Sequence, residues 1–158
     1  MNKPYKVLMV CLGNICRSPL AEGLLREKAN KYKLDVEIDS AGTASYHIGR
    51  NPDERMIQTA IKNGFSISNL QARQIAPKDL NDFDIIYAMD TNNYQNILRL
   101  SDDQSKLEKV HLILNELYPN ENRSVPDPYY DGQEGFDLVY QMLNEATEKI
   151  AQKIRKNQ

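Results

Sequence analysis

The chain is poor in the residues that build several common kinds of site. It has two cysteines, Cys11 and Cys16, five positions apart. They are too few and too close to staple a secreted scaffold, and such sparing use of cysteine points to a reducing compartment. Its two histidines, His47 and His111, have no acidic or cysteine neighbours at ligand spacing, which argues against a metal centre and against a cysteine–histidine dyad. Long apolar runs are missing. The longest early one, Val7–Leu12, is shorter than a secretory core, lacks a small-residue cleavage site and leads straight into Gly13-Asn14, so it reads as a strand. Charge of one sign is missing too: 22 acidic against 20 basic side chains leave a formal net charge of −2, with no overall pull toward nucleic acid or anionic membrane. Lys149, Lys153, Arg155 and Lys156 do gather, but as the dipole-complementing end of a terminal helix. Walker-type and dinucleotide-binding motifs, repeats and low-complexity tracts are all absent.

What remains is an alternation of strands and helices. A length of 158 residues, 41% hydrophobic and 27% charged, suits one core, and the expectation is a single domain over residues 1–158. Tyr5–Val10 reads as a buried strand, followed by a helix from about Pro19 to Lys33 with Ser18 as N-cap and Pro19 as its first residue. A short strand, Val36–Ile38, comes next. Asn51–Glu54 starts a second helix whose apolar stripe is Met56, Ile57, Ala60 and Ile61 and whose stop is Gly64. Asp84–Met89 is a strand, Tyr94, Ile97 and Leu98 mark a helix, and Val110–Leu114 is the last strand. A final helix carries Phe136, Val139, Tyr140, Leu143, Ile150 and Ile154 at helical spacing. The order predicts an α/β fold, a parallel sheet with helices on both faces.

The chemistry concentrates at the end of the first strand. Cys11-Leu12-Gly13-Asn14-Ile15-Cys16-Arg17-Ser18-Pro19 lies where a strand's carboxyl end turns into a helix N-terminus, the usual ligand position in open α/β folds. Five residues between Cys11 and Arg17 let the backbone curl round one anion with its N–H groups inward, and Gly13 and Asn14 tolerate the positive φ angles such a nest uses. The helix dipole adds positive charge. Arg17 supplies a planar fork that holds two phosphate oxygens at once. Cys11 faces the same field, which favours the thiolate, a competent nucleophile toward phosphorus. The long loop from about Asn115 to Gln133 should lie above the same edge. In it Asp127 stands between Pro126 and Pro128, which restrict its backbone. An aryl phosphate needs such an acid to protonate its leaving oxygen.

Three segments together resemble the low-molecular-weight protein tyrosine phosphatases: Cys11–Pro19 is similar to the family's signature, Asp39-Ser40-Ala41-Gly42-Thr43 to its second stretch, and Asp127-Pro128-Tyr129-Tyr130 to its general-acid loop. They occur in the family's order and near its spacing. The resemblance implies a three-layer α/β/α fold with a four-stranded parallel sheet of order 2-1-3-4 and a phosphate-binding loop after the first strand. It implies hydrolysis of phosphotyrosine and small aryl phosphates through a cysteinyl-phosphate, with Cys11 as nucleophile, Arg17 as phosphate clamp and Asp127 as general acid and then base. Leu12, Gly13, Asn14, Ile15 and Cys16 would form the loop round the phosphate. Ser18 would hydrogen-bond the thiolate, Ser40 would support Asn14, and Tyr46 and Tyr129 would wall the crevice. It also implies a reversible disulfide between Cys11 and Cys16, no metal, no cofactor, and a cytoplasmic monomer acting on tyrosine-phosphorylated proteins.

Two relatives of that fold are the alternatives. Arsenate reductases pass a disulfide along downstream cysteines, and this chain has none after Cys16. Protein-arginine phosphatases tend to carry threonine where this chain has Ile15, whose bulk suits an aromatic ring better than a guanidinium. One departure stands out: a histidine that supports the loop in some animal members precedes the segment matching Ala72-Arg73-Gln74, where this chain has Leu70-Gln71.

Overall fold

A computed structural model describes residues 3–158. Four strands, β1 (Tyr5–Cys11), β2 (Val36–Gly42), β3 (Ile85–Ala88) and β4 (Val110–Leu112), make one parallel sheet in the order β2-β1-β3-β4. Val10 lies opposite Ala41 on one side and Ala88 on the other, and Cys11 opposite Gly42. The carboxyl ends of the three strands therefore meet at one edge, where β1, in the middle, delivers Cys11.

Strand alternation divides the core. Val7, Met9, Ile38 and Tyr87 face one layer with α1 (Arg17–Tyr32), α2 (Glu54–Lys62) and α6 (Gln133–Lys156). Leu8, Val10, Ala41 and Ile86 face the other, with α3 (Asp79–Asp82), α4 (Thr91–Leu98) and α5 (Gln104–Leu107). A sheet buried on both faces reads as a continuous apolar run, and Val7–Val10 is fully buried. The result is the three-layer α/β/α arrangement with the 2-1-3-4 order.

Four local expectations change. β2 runs on through Asp39–Gly42, because small Ser40, Ala41 and Gly42 keep their register with β1 inside the core. β4 stops at Leu112; Ile113–Glu116 coils into a 3₁₀ turn that still buries Ile113 and Leu114 and sends Glu116 to accept from the Tyr87 hydroxyl at 2.5 Å. Ile61 leaves the apolar stripe of α2 and is exposed. Asp53 caps that helix by accepting from the Arg55 N–H at 2.8 Å, and Gly64, at φ 95°, turns the chain away after it.

The fourth change matters most. α1 begins at Arg17, with Cys16 in the cap position and no side-chain cap, so Ser18 is not the N-cap. Its hydroxyl is committed to the site instead. The N–H groups of the first turn are thereby left uncapped by side chains, as an anion cradle requires.

Candidate active site

The phosphate loop, Leu12–Cys16, is shaped from both sides. Asn14 takes φ 59°, the left-handed conformation asparagine tolerates. Gly13 does not use its conformational freedom. Its φ is not positive, but a Cβ there would meet His47 Cδ2 at 2.9 Å. Gly42, at the end of β2, abuts the loop more tightly still: a Cβ would fall 2.7 Å from the Leu12 carbonyl oxygen. Thr43 and Ala44 donate their N–H groups to the Cys11 and Leu12 carbonyls, both at 2.9 Å. The loop therefore rests on the segment after β2.

Cys11 Sγ lies 3.0 Å from Ser18 Oγ and accepts the Asn14 N–H at 3.3 Å. The polarity of the network behind it follows from donor counts. Asn14 Nδ2 spends both hydrogens, on Ser18 Oγ at 2.7 Å and Ser40 Oγ at 3.0 Å. Ser18 keeps its own hydrogen, for which the sulfur at 3.0 Å is a nearer acceptor than the Ala41 carbonyl at 3.5 Å, and Ser40 donates to Glu22 Oε1 at 2.6 Å. Glu22 is almost wholly buried, and burial pushes its carboxyl up, while Ser40 and Arg26 work against that shift. Arg26 holds its other oxygen through Nε at 3.0 Å and Nη2 at 2.7 Å. Arg73 closes the frame by giving its N–H to Asn14 Oδ1 at 3.1 Å. The side chain of Leu70, at the place of the missing histidine, packs against the core. Asn14 is held through Ser18, Ser40 and Arg73.

Ser18→Ala removes the hydroxyl beside the sulfur. A hydrogen bond to a charged group contributes about 1.5–3 kcal/mol, so iodoacetate should alkylate Cys11 about tenfold more slowly at neutral pH. An unchanged rate would mean that Ser18 does not donate to the thiolate. Cys16 differs from Cys11. Burial first, and then the Asp53 carboxylate, push its thiol up, so it stays protonated. Both cysteines are free thiols.

Arg17 is 3% exposed. Its Nη1 donates to Asp90 Oδ2 at 2.7 Å and to the Val125 carbonyl at 3.0 Å, and Nη2 sits 3.6 Å from Asp127 Oδ2. Burial opposes its charge, but Cys11, Asp90 and Asp127 outweigh it and hold the guanidinium more firmly protonated than usual. Val125 also pins the acid loop to the sheet, its N–H reaching the Met89 carbonyl at 2.8 Å. Beyond it Asp127, with its side chain 44% exposed, accepts the Tyr129 N–H at 3.1 Å through Oδ1.

Cys11, Leu12, Gly13, Ile15, Cys16, Arg17, Tyr46, Asp127 and Tyr129 all line one cavity of about 340 Å³, joined by His47 and Tyr130. Asn14, Ser18 and Ser40 lie behind it, buried. Tyr46 is 74% exposed, so its ring forms the rim rather than a closed wall. A larger groove of about 1140 Å³ runs along α1 and α6 past Leu24, Lys28, Tyr140 and Asn144, but no cysteine lines it, and the chemistry belongs to the smaller cavity. Asp90, Val125, Glu22 and Arg26 escaped the sequence reading. Asp90 alone left a signal: it follows β3, whose end adjoins Cys11, and it caps α4 by accepting from Asn93 N–H at 2.7 Å.

A parallel α/β sheet whose central strand ends in a thiol, over an uncapped helix N-terminus and beside a buried arginine, defines a cysteine-dependent phosphatase. Comparison with known proteins makes this specific. The chain belongs to the family described as low molecular weight phosphotyrosine protein phosphatase, which it matches over residues 6–158. It is 40% identical over 157 residues to the low molecular weight phosphotyrosine protein phosphatase of Schizosaccharomyces pombe, covering 98% of this chain and 99% of that one. A protein tyrosine phosphatase from Entamoeba histolytica superposes with a TM-score of 0.90 at 35% identity, covering 97% and 98% of the two chains. The Drosophila arginine phosphatase superposes with a TM-score of 0.86, also at 35% identity, covering 94% and 96%. The fold thus serves proteins named for two different substrates.

Proposed function

We propose that residues 1–158 form one phosphatase domain that hydrolyses phosphotyrosine and small aryl phosphates, with Cys11, Arg17 and Asp127 as its reacting and clamping groups. The observation that carries the reading is the convergence of all three, with three tyrosines, on one cavity. Leu12–Cys16 offers backbone N–H groups to the phosphate, and Arg17 turns Nη2 toward it. In the substrate-free protein that nitrogen pairs with Asp127. A phosphate dianion taking Nη2 displaces that ion pair and leaves the Asp127 carboxyl free to face the leaving oxygen.

The Cys11 thiolate attacks phosphorus as the bond to the phenolic oxygen breaks, and Asp127 gives that oxygen its proton. The carboxylate so formed takes a proton from water as the water oxygen attacks the cysteinyl-phosphate. The sulfur–phosphorus bond then breaks, releasing inorganic phosphate, and Ser18 donates to the returning thiolate. Ile15 and the rings of Tyr46 and Tyr129 favour an aromatic substituent over a guanidinium. A downstream cysteine relay of the arsenate-reductase kind has no residues to run on. Among the described residues no helix is long and apolar enough to cross a membrane. We take the enzyme to act as a cytoplasmic monomer on tyrosine-phosphorylated proteins.

The test is phosphate release from matched phosphotyrosine and phosphoarginine peptides, in chelator, with Cys11→Ser as control. Faster Cys11-dependent release from phosphotyrosine is the expected result. Preference for phosphoarginine would overturn the inference from Ile15, and activity that survives Cys11→Ser would overturn the cysteinyl-phosphate.

A further inference from the structure

Asp127 sits on a loop with few anchors of its own. Val125 ties the loop to the sheet and to Arg17, but from Pro126 onward the chain is mostly exposed. The carboxylate is nevertheless oriented, because Tyr129 donates its N–H to Asp127 Oδ1. What fixes the Tyr129 peptide is then the question, and the answer lies on another element. Arg55, in the first turn of α2, donates Nη2 to the Tyr129 carbonyl at 2.8 Å and Nη1 to the Asp131 carbonyl at 3.4 Å. One peptide unit after the N–H that holds Asp127, the same residue's C=O is held by Arg55.

Arg55 is itself fixed. Asp53 accepts Nε through Oδ1 at 3.0 Å and Nη2 through Oδ2 at 2.9 Å, the two-pronged geometry that makes arginine–carboxylate pairs directional. The guanidinium carbon lies 4.6 Å from the centre of the Phe136 ring and 5.5 Å from that of Tyr129, so the plane is stacked as well as bonded. Asp53 is tied to the opposite wall of the site: its N–H reaches the Ile15 carbonyl of the phosphate loop at 2.8 Å. Phosphate loop, Asp53, Arg55 and acid loop form a continuous bridge.

We infer that Arg55 is a positioning residue for proton transfer, setting the distance and orientation of Asp127 relative to the phosphate loop through the Tyr129 peptide. This rests on the reading of Asp127 as general acid. Arg55 does not touch the reacting atoms in this arrangement. Its removal frees the loop beyond Val125, so that the carboxyl spends less time where the leaving oxygen will be. A misplacement of about 1 Å is costly in rate even where every reacting group is intact.

The consequence depends on the leaving group, which separates positioning from mere structural support. A phenol of ordinary basicity needs a proton as its bond to phosphorus breaks; a dinitrophenol, whose phenolate is a far weaker base, leaves without one. General acid catalysis contributes about 10²- to 10⁴-fold where it is needed. Arg55→Met, which keeps an unbranched apolar stem but neither charge nor fork, and Arg55→Gln, which keeps a donor but no fork, should each lower kcat/KM for phenyl phosphate by about tenfold. Both should leave kcat/KM for a dinitrophenyl phosphate nearly unchanged. Asp127→Asn is measured beside them and should show the same selectivity, more strongly.

Each result decides something. Loss confined to phenyl phosphate in an Arg55 variant and in Asp127→Asn supports the inference. If Asp127→Asn shows that selectivity and both Arg55 variants lose equally on the two substrates, or lose nothing, the positioning role is wrong and the general acid stands. If Asp127→Asn loses equally on both substrates, the general-acid reading fails and takes the role of Arg55 with it. Thermal melting identifies a variant that does not fold. If Arg55→Met is that variant, Arg55→Gln carries the comparison; if neither folds, Arg55 is structural and the inference is overturned.

Discussion

Cys11→Ser is expected to lower turnover by about four orders of magnitude or more, the scale at which the loss of a nucleophile is felt in other covalent enzymes, while phosphate still binds. The reason lies in what surrounds the sulfur. Its hydrogen-bonding neighbours are Ser18 and the Asn14 N–H, and both are donors. They stabilise the negative charge left on sulfur when a thiol gives up its proton, but neither takes a proton. A serine hydroxyl in the same place would need a base to become a nucleophile, and none of the bonds to Cys11 comes from one. The cradle is separate from the nucleophile: Arg17, the loop amides and the start of α1 are unchanged by exchanging sulfur for oxygen. Calorimetric titration with inorganic phosphate should therefore give nearly the same affinity for Cys11→Ser and the parent, while turnover of a phosphotyrosine peptide is lost. Residual turnover above a few per thousand would mean that another group attacks phosphorus, and loss of phosphate binding would mean that the thiolate organises the loop rather than only acting within it.

Much of this site was legible because it is local. Cys11 to Pro19 sits in one strand–turn–helix unit, and spacing alone puts a thiol, a fork and a helix end round one anion. The sheet was equally legible, since β1 and β3 are continuous apolar runs of the kind buried on both faces. Asp127 is a different case. A proline-flanked aspartate in a loop reads as a turn residue until the resemblance to a general-acid loop gives it a role. Most of the groups that hold the site together were not legible, because the sheet order sets their partners; Ser40 came only with the resemblance, and Asp90 left no more than its place after β3. Arg17 meets Asp90 and Val125 across separations of 73 and 108 residues, and Arg55 meets Tyr129 across 74. No periodicity or spacing rule reaches that far. Ser18 shows how a sound local rule loses. A serine before a proline at a helix start is a good N-cap, but here the hydroxyl between Asn14 and Cys11 is already spent, and the helix begins two residues earlier. Gly13 shows an expectation that fails, since its φ is not positive and the nearest group, the His47 ring, is a side chain that can turn aside.

Arg17→Lys should cost about 10²–10³ in kcat/KM, the scale seen on removing one well-placed donor from a charge-stabilising site, although the positive charge is kept. The guanidinium divides its work. Nη1 is committed to Asp90 and to Val125, which leaves Nη2 and its neighbour for two phosphate oxygens. An ammonium is a point charge on a flexible stem: it can satisfy Asp90 or reach the phosphate, and it has no second edge to do both. If lysine turns to Asp90, the transferring phosphoryl group loses its clamp. If it turns to phosphate, a largely buried carboxylate and the carbonyl that anchors the acid loop lose their donor, and the melting temperature falls, since breaking a buried pair costs about 3–5 kcal/mol at its upper range. Alkylation of Cys11 by iodoacetate tells charge from geometry. The lysine maintains a positive field near the sulfur, so alkylation should stay within about threefold of the parent, a difference under 1 kcal/mol, even as phosphoryl transfer collapses. If both fall together, Arg17 acts chiefly by holding Cys11 as the thiolate. If neither falls, the site needs only a charge, and the shape of the fork that Asp90 and Val125 hold in place contributes nothing to catalysis.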